Sequence, residues 1–249
     1  MAIKSLLVIR FSAIGDLLLT APILTALASE DIACDLLVKT KCAEVATALP
    51  GVRDIKNWEL DKGELIKNAH ERYDAVLDLQ GTRQSRAFAK PLGLPSVTFQ
   101  KPYLRRVLLL WTKHPRFALK PVVERYQHAA ESLLQKPLKL PTTVEFNLPL
   151  LSTEVSSPYV VAVIGGSQQG KRLSTDQWVA VLQTRGIEAY HITILGGPSD
   201  AAQAAELKTT FPHATDATST TVLEGLALVS EATAVISGDT GFMHAAALL

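Results

Sequence analysis

The chain has 249 residues, 47% of them hydrophobic and 20% charged, which is enough to bury one large core or two of ordinary size. It has only two cysteines, Cys34 and Cys42, without metal-ligand companions, which indicates a reducing compartment and no disulfide framework. Arg10 and Asp16 interrupt the first apolar run before it reaches the length of a signal peptide or a membrane span. We therefore expect a soluble, cytoplasmic protein.

The charge is unevenly distributed along the chain. Residues 1–148 contain 21 basic and 15 acidic side chains, whereas residues 149–249 contain 4 and 9. The first part therefore carries a net charge of +6 and the second a net charge of −5. This difference indicates that the first part meets an anionic partner.

Short apolar runs alternate with helical patterns along the whole chain, which predicts parallel sheets flanked by helices. The predicted strands are 6–10, 33–38, 75–79, 97–99, 159–164, 191–195 and 234–237. The predicted helices are 16–28, 62–71, 82–90, 125–134, 175–184, 200–210 and 223–229, and a further one begins after the last strand.

The segment 137–158 is rich in proline, serine and threonine, a composition typical of a connection between domains. We therefore predict two doubly wound α/β domains, residues 1–150 and 151–249. Facing each other, they would leave a cleft at the carboxyl ends of both sheets, where such sheets bind ligands. Loops 11–15, 165–171 and 238–241 should converge there.

The first of these loops leads from a strand into a helix that begins near Asp16. One interpretation is that Asp16 caps the helix by accepting backbone N–H bonds. The other is that this acid, at a sheet edge facing a cleft, accepts a proton from a substrate hydroxyl as a general base.

The second loop is rich in glycine and suited to an anion. Ser167 can donate a hydrogen bond, and Lys171 and Arg172 can neutralise phosphate charge. The spacing is not that of a Walker loop, because Lys171 is followed by arginine, and a solvated polar loop is the alternative. After the next strand, Ser199 is the expected helix cap, and Asp200 either accepts from a ribose or only favours the helix dipole.

The end of the chain is again a strand followed by a helix start. Ser237, Asp239, Thr240 and Gly241 offer hydroxyls and amides to a diphosphate, while His244, one turn on, either donates to the same phosphates or packs.

Two basic segments lie in the first domain. Arg83 and Arg86 follow a strand that ends near Asp78, and could bind carboxylates or phosphates of an acceptor. Segment 101–114 is basic, aromatic and amphipathic, which suits an anionic membrane surface or a helix that packs on its own domain.

Four motifs together resemble glycosyltransferase family 9, the heptosyltransferase family of lipopolysaccharide core synthesis. They are Arg-x-Ser-x-x-Gly-Asp at 10–16, Asp-Leu-Gln-Gly at 78–81, Gly-Gly-Ser with Lys-Arg at 165–172 and Asp-Thr-Gly-x-x-His-x-Ala at 239–246. The resemblance implies a GT-B fold of two Rossmann-like domains. It also implies inverting, metal-independent transfer, without a cofactor, from a nucleotide-diphosphate sugar that is ADP-heptose in typical members.

The resemblance also implies roles for individual residues. Asp16 would be the general base, and the donor diphosphate would be held by Ser167, Lys171, Asp239, Thr240, Gly241 and His244. Asp200 would contact the donor ribose. An anionic, lipid-linked acceptor at the cytoplasmic face of the inner membrane would meet the first domain at Arg10, Ser12, Gln80, Arg83 and Arg86. No nucleic-acid partner is expected.

The chain departs from the family pattern in three places. Leu173 and Ser174 replace the usual Trp-Pro after Lys-Arg, and Asp200 stands where typical members carry a glutamate. Family chains also continue beyond the Asp-Thr-Gly motif, so we expect a C-terminally truncated fragment. A noncatalytic nucleotide-sugar-binding remnant is the alternative to an enzyme. A Rossmann dehydrogenase is disfavoured, because the loop after the first strand has only one glycine.

Overall fold

A computed structural model of the chain describes residues 3–151, 158–166, 170, 172–184, 186–187 and 189–249. The chain divides into two compact units, Met1–Glu145 and Phe146–Leu249.

The first unit is built on a five-stranded parallel sheet in the order β3-β2-β1-β4-β5. Its strands are β1 (Ser5–Ile9), β2 (Ala33–Val38), β3 (Val52–Asn57), β4 (Ala75–Asp78) and β5 (Ser96–Thr98). Its helices are α1 (Ile14–Leu18), α2 (Ala21–Ser29), α3 (Thr40–Ala46), α4 (Trp58–Arg72), α5 (Arg83–Ala89), α6 (Tyr103–Thr112) and α7 (Val122–Leu134). The central strand β1 is apolar and buried from Leu6 to Ile9, as expected of a strand covered on both faces.

The second unit repeats this design on a smaller scale, with parallel strands in the order β8-β7-β6-β9. The strands are β6 (Tyr159–Val163), β7 (His191–Leu195), β8 (Thr215–Ala217) and β9 (Ala234–Ser237). The helices are α8 (Thr175–Leu182), α9 (Ala201–Thr210), α10 (Val222–Glu231) and α11 (Gly241–Ala246).

Each sheet has one position where the strand order reverses, between β1 and β4 in the first unit and between β6 and β9 in the second. Loops that leave two such neighbouring strands diverge to opposite faces of the sheet and leave a crevice at the carboxyl edge. The crevices are therefore bordered by loops 10–13 and 79–82 in one unit and, among the described residues, by 164–166, 172–174 and 238–240 in the other.

The predicted fold class is confirmed, and all seven predicted strands exist. The sequence missed β3 and β8, which are both edge strands, and their polar side chains give no apolar run. The predicted helix 16–28 is wrong in one respect, because it is divided into α1 and α2. Pro22, at the start of α2, has no N–H to donate to the carbonyl of Leu18, so one continuous helix cannot form there.

Within the described residues, no helix combines the length and the apolar character needed to cross a bilayer. Helix α6, in the amphipathic segment 101–114, contains no buried residue. The alternative that its apolar face packs on its own domain is therefore wrong. Cys34 and Cys42 are both buried, and burial raises the pKa of the Cys34 thiol to about 12.

Candidate active site

The loop after β1 places a buried arginine beside an acidic side chain. Arg10 is 3% exposed, and its Nη1 donates to the carbonyl oxygen of Leu79 at 2.7 Å. Its Nη2 forms an ion pair with Oδ2 of Asp16, whose side chain is 43% exposed. The cation is therefore the buried member of this pair, and the carboxylate reaches solvent.

The loop after β4 lies directly beside the loop after β1, because the backbone N–H of Ser12 donates to Oε1 of Gln80 at 3.3 Å. Asp78 stabilises the loop after β4, since its carboxylate accepts hydrogen bonds from the N–H of Gly81 at 3.0 Å and from the hydroxyl of Ser85 at 2.8 Å. Burial nevertheless raises the pKa of Asp78 above its ordinary value. Gly81 has a φ of +58°, and a Cβ there would lie 2.6 Å from a backbone oxygen, so the turn requires glycine.

A cavity of about 340 Å³ lies beside this pair. Its charged lining includes Arg10, Lys101, Arg106, Arg125 and Asp16. Burial, followed by the positive charge of Arg10, lowers the pKa of Lys101 below its ordinary value. A group of cations around one carboxylate suits a ligand that combines an anionic group with a reactive hydroxyl.

Tyr126 forms an apolar wall of the same cavity. Its side chain is fully buried, and its ring centroid lies 5.8 Å from the guanidinium carbon of Arg10. Within the part of the chain that the structure describes, its buried hydroxyl has no hydrogen-bond partner. The contribution of Tyr126 to the cavity is therefore its side-chain surface beside Arg10.

Of the cavity cations, the sequence assigned only Arg10 to the acceptor site. Arg125 belongs to no motif, and Lys101 and Arg106 belong to the amphipathic segment 101–114. The predicted acceptor residues Arg83 and Arg86 are exposed on α5 and lie outside the cavity lining.

The second unit has its own ion pair at the edge of its sheet. Asp200 is 3% exposed, and its Oδ2 accepts from the backbone N–H of Gly197 at 2.8 Å. Its Oδ1 lies 2.9 Å from Nη1 of Arg172, whose side chain is 35% exposed and whose Nε donates to the carbonyl of Gly166 at 2.8 Å. A Cβ at Gly165 would lie 2.8 Å from the Asp200 carboxylate. The pair therefore joins the loop after β6 to the loop after β7.

Two predicted helix caps are wrong. Ala13 is the N-cap of α1, so Asp16 lies inside the helix and does not cap it. Ser199 lies within the short helical turn Pro198–Asp200, and α9 has no side-chain cap. The contacts of Asp200 with Gly197 and Arg172 hold the loops together, and its contact with a donor ribose stays a prediction.

The end of the chain forms the predicted strand and helix start. Thr240 is the N-cap of α11, accepting from the backbone N–H three residues on at 3.3 Å and bonding the hydroxyl of Ser237 at 2.9 Å. Gly241 is the first residue of α11, His244 is half-buried on that helix, and Asp239 is exposed in the preceding loop. The first amides of a helix have no partner within the helix, so this turn can present N–H groups to an anion.

Two predicted phosphate-binding residues, Ser167 and Lys171, lie outside the described residues. Arg172, which follows Lys171 in the sequence, is anchored to Asp200. The convergence of loops from both units on a common cleft stays a prediction.

The fold is that of known heptosyltransferases. Escherichia coli heptosyltransferase WaaC, solved with ADP-2-deoxy-2-fluoro heptose, aligns over 98% of this chain and 85% of its own with 20% identity and a TM-score of 0.73. E. coli ADP-heptose LPS heptosyltransferase II aligns over 98% and 82% with 19% identity and a TM-score of 0.72. A family 9 glycosyl transferase from Veillonella parvula DSM 2008 aligns over 98% and 78% with 16% identity and a TM-score of 0.75.

The comparison with curated proteins finds no match. The family comparison is decisive, because residues 63–249, most of the chain, match the model of glycosyltransferase family 9 (heptosyltransferase). The chain therefore belongs to glycosyltransferase family 9 and is a glycosyltransferase.

Proposed function

We propose that this glycosyltransferase moves a heptose from ADP-heptose to an anionic, lipid-linked sugar of the lipopolysaccharide core, at the cytoplasmic face of the inner membrane. Family membership supports the reaction class, and the ADP and ADP-2-deoxy-2-fluoro heptose bound by the WaaC structures support the donor. The observation that carries the proposal is the solvent-reaching carboxylate of Asp16, ion-paired to a buried arginine beside a cationic cavity.

Asp16 acts as the general base in this proposal. The acceptor hydroxyl oxygen forms a bond to the anomeric carbon while the bond from that carbon to the diphosphate oxygen breaks. The hydroxyl proton passes to Asp16, and ADP leaves with the bonding electrons. Attack opposite the leaving group inverts the anomeric configuration. Arg10 holds the carboxylate in one orientation, since it is itself fixed to the carbonyl of Leu79.

The leaving diphosphate is stabilised by the second unit. A lysine and backbone amides at a helix start can offset the charge that develops on ADP, so the reaction needs no metal ion and no cofactor. The Arg172–Asp200 pair supports this role by anchoring the residue that follows Lys171, and it favours a loop-holding role for Asp200 over a ribose contact. The proposed diphosphate-binding residues are Ser167, Lys171, Asp239, Thr240, Gly241 and His244.

The acceptor binds the first unit in this proposal. Lys101 and Arg125 in the cavity would pair with a carboxylate or phosphate of the acceptor, which brings its hydroxyl to Asp16. Ser12, Gln80, Arg83 and Arg86 border the same edge of the sheet and would contact more distant acidic groups.

The test is a transfer assay with lipopolysaccharide core acceptors and ADP-, UDP- or GDP-linked sugars, run with and without a metal chelator. We expect heptose transfer from the ADP donor, unchanged by the chelator, with inverted anomeric configuration in the NMR spectrum of the product. Donor binding without transfer to any acceptor would identify a noncatalytic binding protein instead. No preference for ADP-linked sugars would reject the donor assignment.

A further inference from the structure

Helix α6 presents large apolar side chains to solvent. None of its ten residues is buried, and Leu104, Leu110 and Trp111 are 77%, 69% and 88% exposed. Helices of soluble proteins usually direct such side chains to the core. An apolar helix face without a partner indicates a binding surface.

The apolar side chains of α6 form one continuous stripe. At about 100° per residue, its six exposed apolar side chains cover an arc of roughly 160°. They are Tyr103, Leu104, Val107, Leu108, Leu110 and Trp111. Leu109, which is partly buried, lies on the opposite side between Arg105 and Arg106. The helix therefore directs its apolar stripe outward.

The surroundings of the stripe are positively charged. No aspartate or glutamate occurs from Gln100 to Val123. The same segment contains Lys101, Arg105, Arg106, Lys113, Arg116 and Lys120. The guanidinium of Arg105 donates to the carbonyl of Arg116 at 2.9 Å, which ties the helix to the turn that follows it. An apolar stripe bordered by cations is complementary to a bilayer with anionic headgroups.

The stripe begins at the candidate acceptor site. Pro102, Tyr103 and Arg106, at the N-terminal end of α6, line the cavity that contains Asp16. A bilayer in contact with the helix would therefore hold membrane lipids next to the proposed base.

We infer that α6 docks this protein on an anionic phospholipid bilayer, with its apolar stripe in the headgroup region, so that a membrane-embedded acceptor reaches the cavity beside Asp16. This inference rests on the proposed function for the identity of the acceptor, but the docking itself does not. A second copy of the chain is a poorer occupant, because a symmetric contact would bring the same cations face to face.

The experiment measures co-sedimentation of the full chain with phospholipid vesicles. Vesicles of phosphatidylcholine with equal phosphatidylglycerol are compared with vesicles of phosphatidylcholine alone, at low and high salt. The test variant carries Leu104→Asp and Trp111→Asp. The matched control is Leu60→Asp on α4, because Leu60 is 79% exposed, as Leu104 is at 77%, and has acidic neighbours. Circular dichroism checks that both variants fold.

We expect binding to the anionic vesicles that weakens in high salt and on phosphatidylcholine alone. The double variant should bind at least about tenfold more weakly, and Leu60→Asp should bind like the parent. Absence of vesicle binding, or equal loss in both variants, would overturn the inference. So would a lipid-free dimer that the double variant returns to monomer, because a second copy would then cover the helix.

Transfer to a delipidated, water-soluble acceptor separates this inference from the proposed function. The double variant should retain that activity while losing vesicle binding. Transfer without any vesicle binding would reject the docking alone, whereas vesicle binding without transfer to any acceptor would reject the function alone.

Discussion

The two units place an arginine–aspartate pair at the same edge of their sheets, but with opposite members buried. In the first unit Arg10 is 3% exposed and Asp16 43%, whereas in the second Asp200 is 3% exposed and Arg172 35%. The first pair therefore presents a carboxylate to solvent and the second presents a cation. In the proposed function, the carboxylate of the first pair accepts a proton, and the cation of the second adjoins the proposed diphosphate-binding residues.

The largest effect is expected from neutralising the carboxylate of the first pair. Asp16→Asn keeps the shape of the side chain but removes its basicity, so kcat should fall by about 1000-fold. The measurement is steady-state transfer with both substrates saturating. Asp54→Asn is the matched control, because Asp54 is 46% exposed and also ion-paired, and it should keep kcat within about twofold. A normal kcat for Asp16→Asn would exclude its role as base.

The second prediction concerns the unequal burial within the second pair. Arg172→Gln leaves the buried carboxylate of Asp200 without its cation, so the free energy of unfolding should fall by about 3 kcal/mol. Asp200→Asn leaves only the half-exposed arginine unpaired and should cost about 1 kcal/mol. Urea unfolding of both variants measures the difference.

The variant that carries both Arg172→Gln and Asp200→Asn is the control for this comparison. Asp200→Asn should partly restore the stability of Arg172→Gln, because the unpaired buried charge is then gone. Equal costs for the two single variants would show that burial does not distinguish the members of the pair.

The third prediction tests the cavity cations. Lys101→Gln and Arg125→Gln should each raise the KM for the acceptor by about tenfold, since each removes a charged partner for its acidic groups, and leave the KM for the donor unchanged. Lys120→Gln, nearby but outside the cavity, is the control. If only the KM for the donor changed, the cavity would not belong to the acceptor-binding site.

The smallest effect concerns the pH dependence of stability at Asp78. Because burial raises its folded-state pKa, the unfolded chain releases this proton at lower pH than the folded chain does. The contribution of Asp78 to the free energy of unfolding should therefore be complete below pH 3.8 and decrease as the pH rises through the folded-state pKa. The free energies of unfolding of the parent and of Asp78→Asn, plotted against pH, should differ in slope over that range. Parallel curves would contradict the prediction.

Much of the fold could be predicted from the sequence, because β1, β4, β6 and β9 are apolar strands followed by loops with glycine or acidic residues. The edge strands β3 and β8 could not, since an edge position does not require an apolar run.

The site was predicted less completely. The positions of Asp16 and Arg172 follow from local motifs. The burial of Arg10 depends on its contact with Leu79 in the loop after β4, and that of Asp200 on its contact with Arg172 in the loop after β6. The contribution of Arg125 to the cavity depends on how α7 packs, so no local pattern marks it.

The division of roles between the two pairs is tested most directly by the equilibrium binding of ADP-heptose, measured by calorimetry without acceptor. The account predicts that Asp16→Asn binds the donor with the affinity of the parent protein and that Arg172→Gln binds it about tenfold more weakly. Weakened binding by Asp16→Asn together with normal binding by Arg172→Gln would contradict it.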